Sequence, residues 1–277
     1  MYSGFVSSKR TVSALGVHQR FDTVAYRLTQ SYFHPQTFPN LAQILHFEGI
    51  NGPDGMKVKS PGKGEVGHLY DPLTERGAIP DLIEQHYQGL VLALQKNNQV
   101  RAAFEAAWLA HYVCDGLTPA HHFPLDEELA KHRLTKTDKN RYKVRQAGEP
   151  ARETLKKGWA VWGGKGLLTT HVNFEMGVMA ALVGQKIKVQ LDASKLAHAR
   201  QVGPVEFFKQ EAREIANLQM YERFYKQGWS MSLGREVKSI LAPVSVQAIA
   251  IIWLLAYLES GQQLAEAAHR SKAVAEL

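Results

Sequence analysis

Cysteine is nearly absent: Cys114 is the only one in 277 residues, which excludes an internal disulfide framework and any structural zinc site built on thiolates. If the chain holds a metal, its ligands are therefore His, Asp and Glu. Long hydrophobic runs are also lacking. The most apolar stretch, Ile240 to Leu258, is broken in its first half by Pro243, Ser245 and Gln247, leaving fewer than the roughly 20 apolar residues that a spanning helix needs. It reads as a buried core helix, with an interfacial membrane contact as the alternative. No basic and apolar leader opens the chain, so it reads as cytoplasmic, or as secreted if a leader precedes it. There is no His-Glu-x-x-His and no adjacent His-Asp dipeptide, which speaks against a zincin protease and a His-Asp phosphohydrolase. Alternating strand patterns are nearly missing as well.

Helical periodicity fills much of the chain. Helices are expected over Ser13 to Ser31, Ile79 to Lys96, Gln99 to Asp115, Glu149 to Trp159, Leu168 to Val183, Pro204 to Gln227 and Ala242 to Val274. The fold class implied is all-α, in one domain covering 1–277. Between Glu48 and Pro80, repeated Gly and Pro predict an irregular loop of about 30 residues, a length that in compact domains is usually functional or disordered. A second polar stretch, Lys131 to Arg152, carries eight Lys or Arg against Asp138 and Glu149 and reads as a solvated excursion, with a phosphate-facing surface as the alternative. The net charge of +7 favours anionic partners.

Histidine is plentiful. A His followed four positions later by an acid shares one helical face with it and can close on one ion. Twelve His and 26 acids in 277 positions give about one such pair by chance. The sequence holds four: His18 and Asp22, His111 and Asp115, His122 and Asp126, His171 and Glu175. His111 and Asp115 close an otherwise apolar helix, where an uncompensated carboxylate would cost several kcal/mol. Gly116 and Pro119 end that helix and turn His121 back toward it. In the Gly-rich loop, Asp54 precedes His68-Leu-Tyr-Asp71-Pro72, and a metal cross-link would hold such a loop. His46 reads as a core residue, His86, His132, His198 and His269 as surface positions, and His122 as an outer neighbour of the site. Trp159, Trp162 and Tyr70 are candidates for a lipid or base pocket, whereas Trp108 reads as core. A di-iron bundle would need two Glu-x-x-His helices; Glu65 to His68 falls in the Gly-rich loop, and Glu266 to His269 is the other match.

His68-Leu-Tyr-Asp71-Pro72, His111 to His121 and His171-Val-Asn-Phe174-Glu175 resemble, in order, spacing and flanking residues, the metal-binding segments of the zinc-dependent phospholipase C family. That resemblance implies an all-helical domain with a metal-cluster cleft holding two or three zinc ions. By position it implies that Asp54, His68, His111 and Asp115 hold one zinc, that His121, His171 and Glu175 hold another, and that Asp115 with His18 reaches a third. The family completes that third site with an N-terminal Trp. This chain has no Trp before Trp108, and the residues placed to substitute are Asp22 and His34. The activity implied is phosphodiester hydrolysis by metal-activated hydroxide, with Asp54 as ligand or as the base. Thr118, Tyr70 and Asp71 are the candidates to orient the histidines. The implied partner is a phospholipid or another phosphate-ester substrate; no obligate protein partner is implied. A single-strand-specific zinc nuclease, with nucleic acid as substrate, is the alternative within the superfamily. A non-catalytic helical protein with a degenerate metal site is the alternative of another class.

Overall fold

A computed structural model describes residues 16–59, 67–132 and 148–262, and within these the chain is mostly α-helical, as the periodicity predicts. The first helices are α1 (Val17–Thr29), α2 (Leu41–His46) and α3 (Pro53–Lys59). α1 buries His18, Phe21, Asp22 and Ala25 along one face. α2 opens with a reciprocal cap, Gln43 N–H donating to Asn40 Oδ1 at 3.0 Å and Asn40 N–H to Gln43 Oε1 at 2.8 Å. The expected irregular loop from Glu48 to Pro80 is corrected here. It contains a 3-10 turn at Gly49–Asn51, all of α3, and a two-stranded antiparallel ribbon, β1 (Tyr70–Asp71) with β2 (Arg76–Gly77). Gly and Pro mark the starts and turns of these short elements: Pro53 occupies the first position of α3, where its missing N–H is harmless. Gly77, at φ 127°, lies where an added Cβ would meet Leu69 O at 2.2 Å.

The centre of the molecule is the helical hairpin α4 (Ile79–Gln95) and α5 (Gln99–Gly116), turned at Asn97 with φ 51° and capped by Asn98, which accepts from Arg101 N–H at 3.0 Å. Then come a 3-10 turn at Pro119–His122 and the helices α6 (Leu125–His132), α7 (Ala151–Trp162), α8 (Leu167–Leu182), α9 (Ala193–Val202), α10 (Pro204–Asn217), α11 (Met220–Gln227), α12 (Met231–Glu236) and α13 (Ala242–Glu259). The single helix expected from Pro204 to Gln227 is two, because Gln219 takes a left-handed φ of 52°; no Gly or Pro signals that break. The helix expected to begin at Ala242 instead runs back through a π-turn at Val237–Leu241 into α12. Proline removes a helical N–H and crowds the carbonyl four residues earlier, and the wider π-turn immediately before Pro243 lets the helix continue past it.

Residues 248–257 of α13 are all buried, packed on α1, α4 and α5, and Trp253 Nε1 donates to Ala106 O at 3.0 Å. Met231–Glu259 is long and apolar enough to cross a membrane, but most of its apolar surface is covered by the protein itself. Of the remaining sequence assignments, Trp108 packs against the core as expected. Two are reversed: His46 is exposed, and His86 is buried, its Nδ1 2.5 Å from Glu105 Oε2. Glu65, Glu266, His269 and most of the Lys131 to Arg152 stretch lie outside the described residues.

Candidate metal centre

His111 and Asp115 occupy the last turn of α5, whose buried side is mostly apolar, with alanine at five positions between Ala102 and Ala110. Small residues let neighbouring helices approach closely. At Gly116 an added Cβ would fall 2.3 Å from Phe208 Cζ, so the helix end can lie directly against α10. The chain then reverses through Thr118 N–H to Asp115 O at 2.9 Å and His121 N–H to Thr118 O at 2.8 Å, which returns the His121 ring to Asp115. α1 packs on α5 and delivers His18; α3 delivers Asp54 from its first turn; the residues before β1 deliver His68; α8 delivers His171 and Glu175 one turn apart.

Three groups of ligand atoms result: His18, His111 and Asp115; Asp54, His68 and His111; His121, His171 and Glu175. Within each, the atoms lie within 4.8 Å of one another, and each group can hold a metal ion. Asp115 is the hub. Its Oδ1 is 3.3 Å from His18 Nε2 and 3.5 Å from His121 Nδ1, and its Oδ2 is 3.3 Å from His111 Nε2 and bonds His68 Nδ1. Asp54 Oδ1 is 3.8 Å from His68 Nδ1 and 3.9 Å from His111 Nε2. Glu175 Oε1 is 2.9 Å from His121 Nε2 and 3.4 Å from His171 Nε2. The imidazoles stack in pairs, His18 on His111 at 4.1 Å and His121 on His171 at 5.1 Å between centroids.

Some of these spacings suit two ligands of one ion as well as a long hydrogen bond. Donors and acceptors in a protein hydrogen bond are usually about 2.7–3.2 Å apart, whereas two ligands each at about 2.0–2.2 Å from a tetrahedral cation stand about 3.3–3.6 Å apart. Several of the contacts have the second spacing. Moreover, His111 Nε2, His121 Nδ1 and His171 Nδ1 are buried with no hydrogen-bond partner among the described residues, an arrangement that costs free energy unless something binds them.

Burial opposes the charge on Asp115, yet His121, His111 and His68 together hold it well below the usual carboxylate range. Glu175 is likewise depressed: burial pushes it up, and the bonds from His121 and His171 outweigh that. Asp54, one third exposed at the mouth of the cluster, is affected first by burial, but the neighbouring His111 and His68 bring it down to about 2. His121 is brought down to about 4 by burial, so its ring is neutral near pH 7 and available as a ligand. His111 goes the other way. Burial lowers it, but Asp115 and Glu48 raise it well above its ordinary value.

Glu48 is the residue that sequence reasoning missed. It is buried behind the cluster, with Oε1 3.4 Å from His111 Nδ1, while the opposite nitrogen of the same ring faces Asp115 and Asp54. A carboxylate on the far nitrogen of a ligating histidine fixes its tautomer and strengthens it as a ligand. Glu48 comes from a separate segment with no helical spacing to His111, so its only signal was an acid between Phe47 and Gly49. Glu48→Gln is expected to weaken metal binding about 10–100-fold at the two groups containing His111 and to leave the His121, His171 and Glu175 group unchanged. Competition against a chelator of known affinity measures both.

All eight residues expected as ligands, His18, Asp54, His68, His111, Asp115, His121, His171 and Glu175, enter these groups. Asp22 does not: it is buried on α1, where burial and the charge of Glu48 push its carboxyl well up. His34 is exposed and its backbone N–H bonds Tyr257. The three residues expected to orient histidines have other tasks. Thr118 Oγ1 donates to Cys114 O at 2.8 Å, Asp71 caps the turn at Leu73 and Thr74, and Tyr70 packs on Phe208. His122 Nε2 bonds Gly116 O at 2.9 Å and belongs to none of the groups. No protein-family model matches the chain, and no curated protein or solved structure matches it either.

Proposed function

We propose that the chain is a zinc-dependent phosphodiester hydrolase of the phospholipase C kind, acting on a phospholipid or a related phosphate ester. The observation that carries the proposal is the convergence of eight His, Asp and Glu side chains on three adjoining groups, several at spacings that suit ligands of one ion. His and carboxylate donors without thiolates suit zinc among the divalent ions. Zinc held there supplies Lewis acidity, lowering the pKa of water toward about 7 and offsetting charge on phosphoryl oxygens. His111, Asp115, His18 and His68 form the buried floor, and Asp54 stands at its exposed edge, ionised near neutral pH and placed to orient a water and accept its proton. His121, His171 and Glu175 form the adjoining wall, where a transferring phosphoryl group would be held. The resemblance of the sequence to the phospholipase C family supports the same reading. The nuclease and the non-catalytic scaffold remain the competing outcomes.

The test is elemental mass spectrometry on chain purified without a metal-affinity tag, followed by assays of phosphatidylcholine and of single-stranded DNA. Two or three zinc ions per chain with release of diacylglycerol are expected. Asp54→Asn should then lower kcat by at least about 100-fold while the ion at His121, His171 and Glu175 stays bound. Zinc with cleavage of DNA alone would replace the lipid by nucleic acid; absence of metal that added zinc cannot restore would leave the scaffold.

A further inference from the structure

α7 presents an unusual outward face. Val161 is its buried apolar anchor, clustered with Leu125 and Leu129 of α6 and Leu168 of α8. On the opposite side Leu155 is 73% exposed, Trp159 75% and Trp162 51%. At about 100° per residue, these three share an arc of about 120° with Arg152 and Lys156, both exposed. Soluble helices normally place charge on such a face. α7 packs on α8, where exposed Val172 and Met176 each follow a residue of the candidate centre, His171 and Glu175. Exposed apolar side chains thus occur on both helices, those of α8 next in sequence to two residues of the candidate centre.

We propose that this face of α7 docks on an anionic phospholipid bilayer, the source of phosphate esters for the candidate centre. The inference rests on the phosphodiesterase reading for its substrate, while the docking itself is read separately. The residue types choose the occupant. Indoles beside lysine and arginine suit the boundary between headgroups and acyl chains. Leu155, which lies between the two indoles on the arc, interrupts any surface on which successive bases could stack and so disfavours a single-strand platform. A second copy of the chain would have to desolvate the two cations beside the indoles with no acid on the same arc to pair with them.

The test is co-sedimentation of the full chain, as purified, with phosphatidylcholine vesicles with and without about one third phosphatidylglycerol. The same preparations are assayed on the water-soluble bis(p-nitrophenyl) phosphate. Binding to the anionic vesicles is expected, reduced at least about tenfold in Trp159→Ala/Trp162→Ala and in Arg152→Gln/Lys156→Gln, with unchanged hydrolysis of the soluble ester. The second variant keeps the test decisive if the first fails to fold. Wild-type binding with no hydrolysis of any ester would remove the enzyme reading and leave the docking surface. Hydrolysis without vesicle binding, or binding untouched by either variant, would overturn the docking. So would an oligothymidylate complex or a dimer that the tryptophan variant abolishes while vesicles are ignored.

Discussion

Replacing Asp115 by asparagine is expected to empty the two metal groups that contain His111 and to lower kcat/KM at least about 1,000-fold. One carboxylate there touches four histidines, His18, His68, His111 and His121. Asparagine has the same shape, so the loss cannot be steric. What changes is charge and donor count: the amide nitrogen turns two hydrogens toward rings that need an acceptor or an ion. Metal content should fall to at most one ion per chain, held by His121, His171 and Glu175. The ion-free chain should also lose about 3–5 kcal/mol, the usual result of removing one partner from a buried charged pair. Elemental analysis and urea denaturation in chelator measure the two effects. Asp126→Asn, an exposed acid of α6, should change neither. A scaffold without metal would show the stability loss in Asp115→Asn, but zinc would neither bind nor stabilise the parent chain.

The helical pairs illustrate how far spacing alone carries. His111 with Asp115 and His171 with Glu175 were legible because four residues make one helical turn, and both pairs fall within 3.4 Å. His18 and Asp22 have the same spacing and sit on one helix, yet Asp22 enters no metal group, while His18 meets Asp115 of α5, 97 positions away in sequence. His122 and Asp126 straddle the end of a 3-10 turn and the extended Phe123, so no helical face joins them. Periodicity reports a face but not which helix it meets. For the same reason Glu48 was invisible, since its role arises from a contact between distant segments. The misread positions follow the same logic. His46 lies among apolar residues but on the exposed side of a short helix, whereas His86 is buried because Glu105 of the facing helix receives it. The interruption at Gln219 and the continuation past Pro243 were hidden because tertiary packing overrides local propensity at both places.

Zinc returned to chelator-stripped protein is expected to raise Tm by roughly 10 °C or more at pH 7.5, and by less at pH 6.5. An ion that binds only the folded chain adds about 4 kcal/mol at a concentration 1,000 times its Kd. Each kcal/mol moves Tm by about 2–4 °C at this size. The pH dependence comes from His111, whose folded pKa is raised by Asp115 and Glu48 against the cost of burial. A raised histidine stabilises the ion-free fold fully below its unfolded value near 6.5, and that contribution is lost as pH rises through the folded value. His121 opposes this only near pH 6.5, where the unfolded ring still binds about half a proton and the folded ring, with its pKa at about 4, binds almost none; that contribution fades by about pH 7.5. The ion-free chain should therefore weaken from pH 6.5 to 8. Metal binding has the opposite slope, since an ion must displace the proton from His111 and binds better as protons become scarce. The slope of the stripped chain is common to both forms and cancels in their difference, so the gap in Tm widens with pH through the proton that binding releases. Differential scanning calorimetry at three pH values, paired with a lightly buffered titration that counts protons released per zinc, measures it. A gap that narrows with rising pH, or zinc binding without proton release, would show that His111 does not ligate the ion.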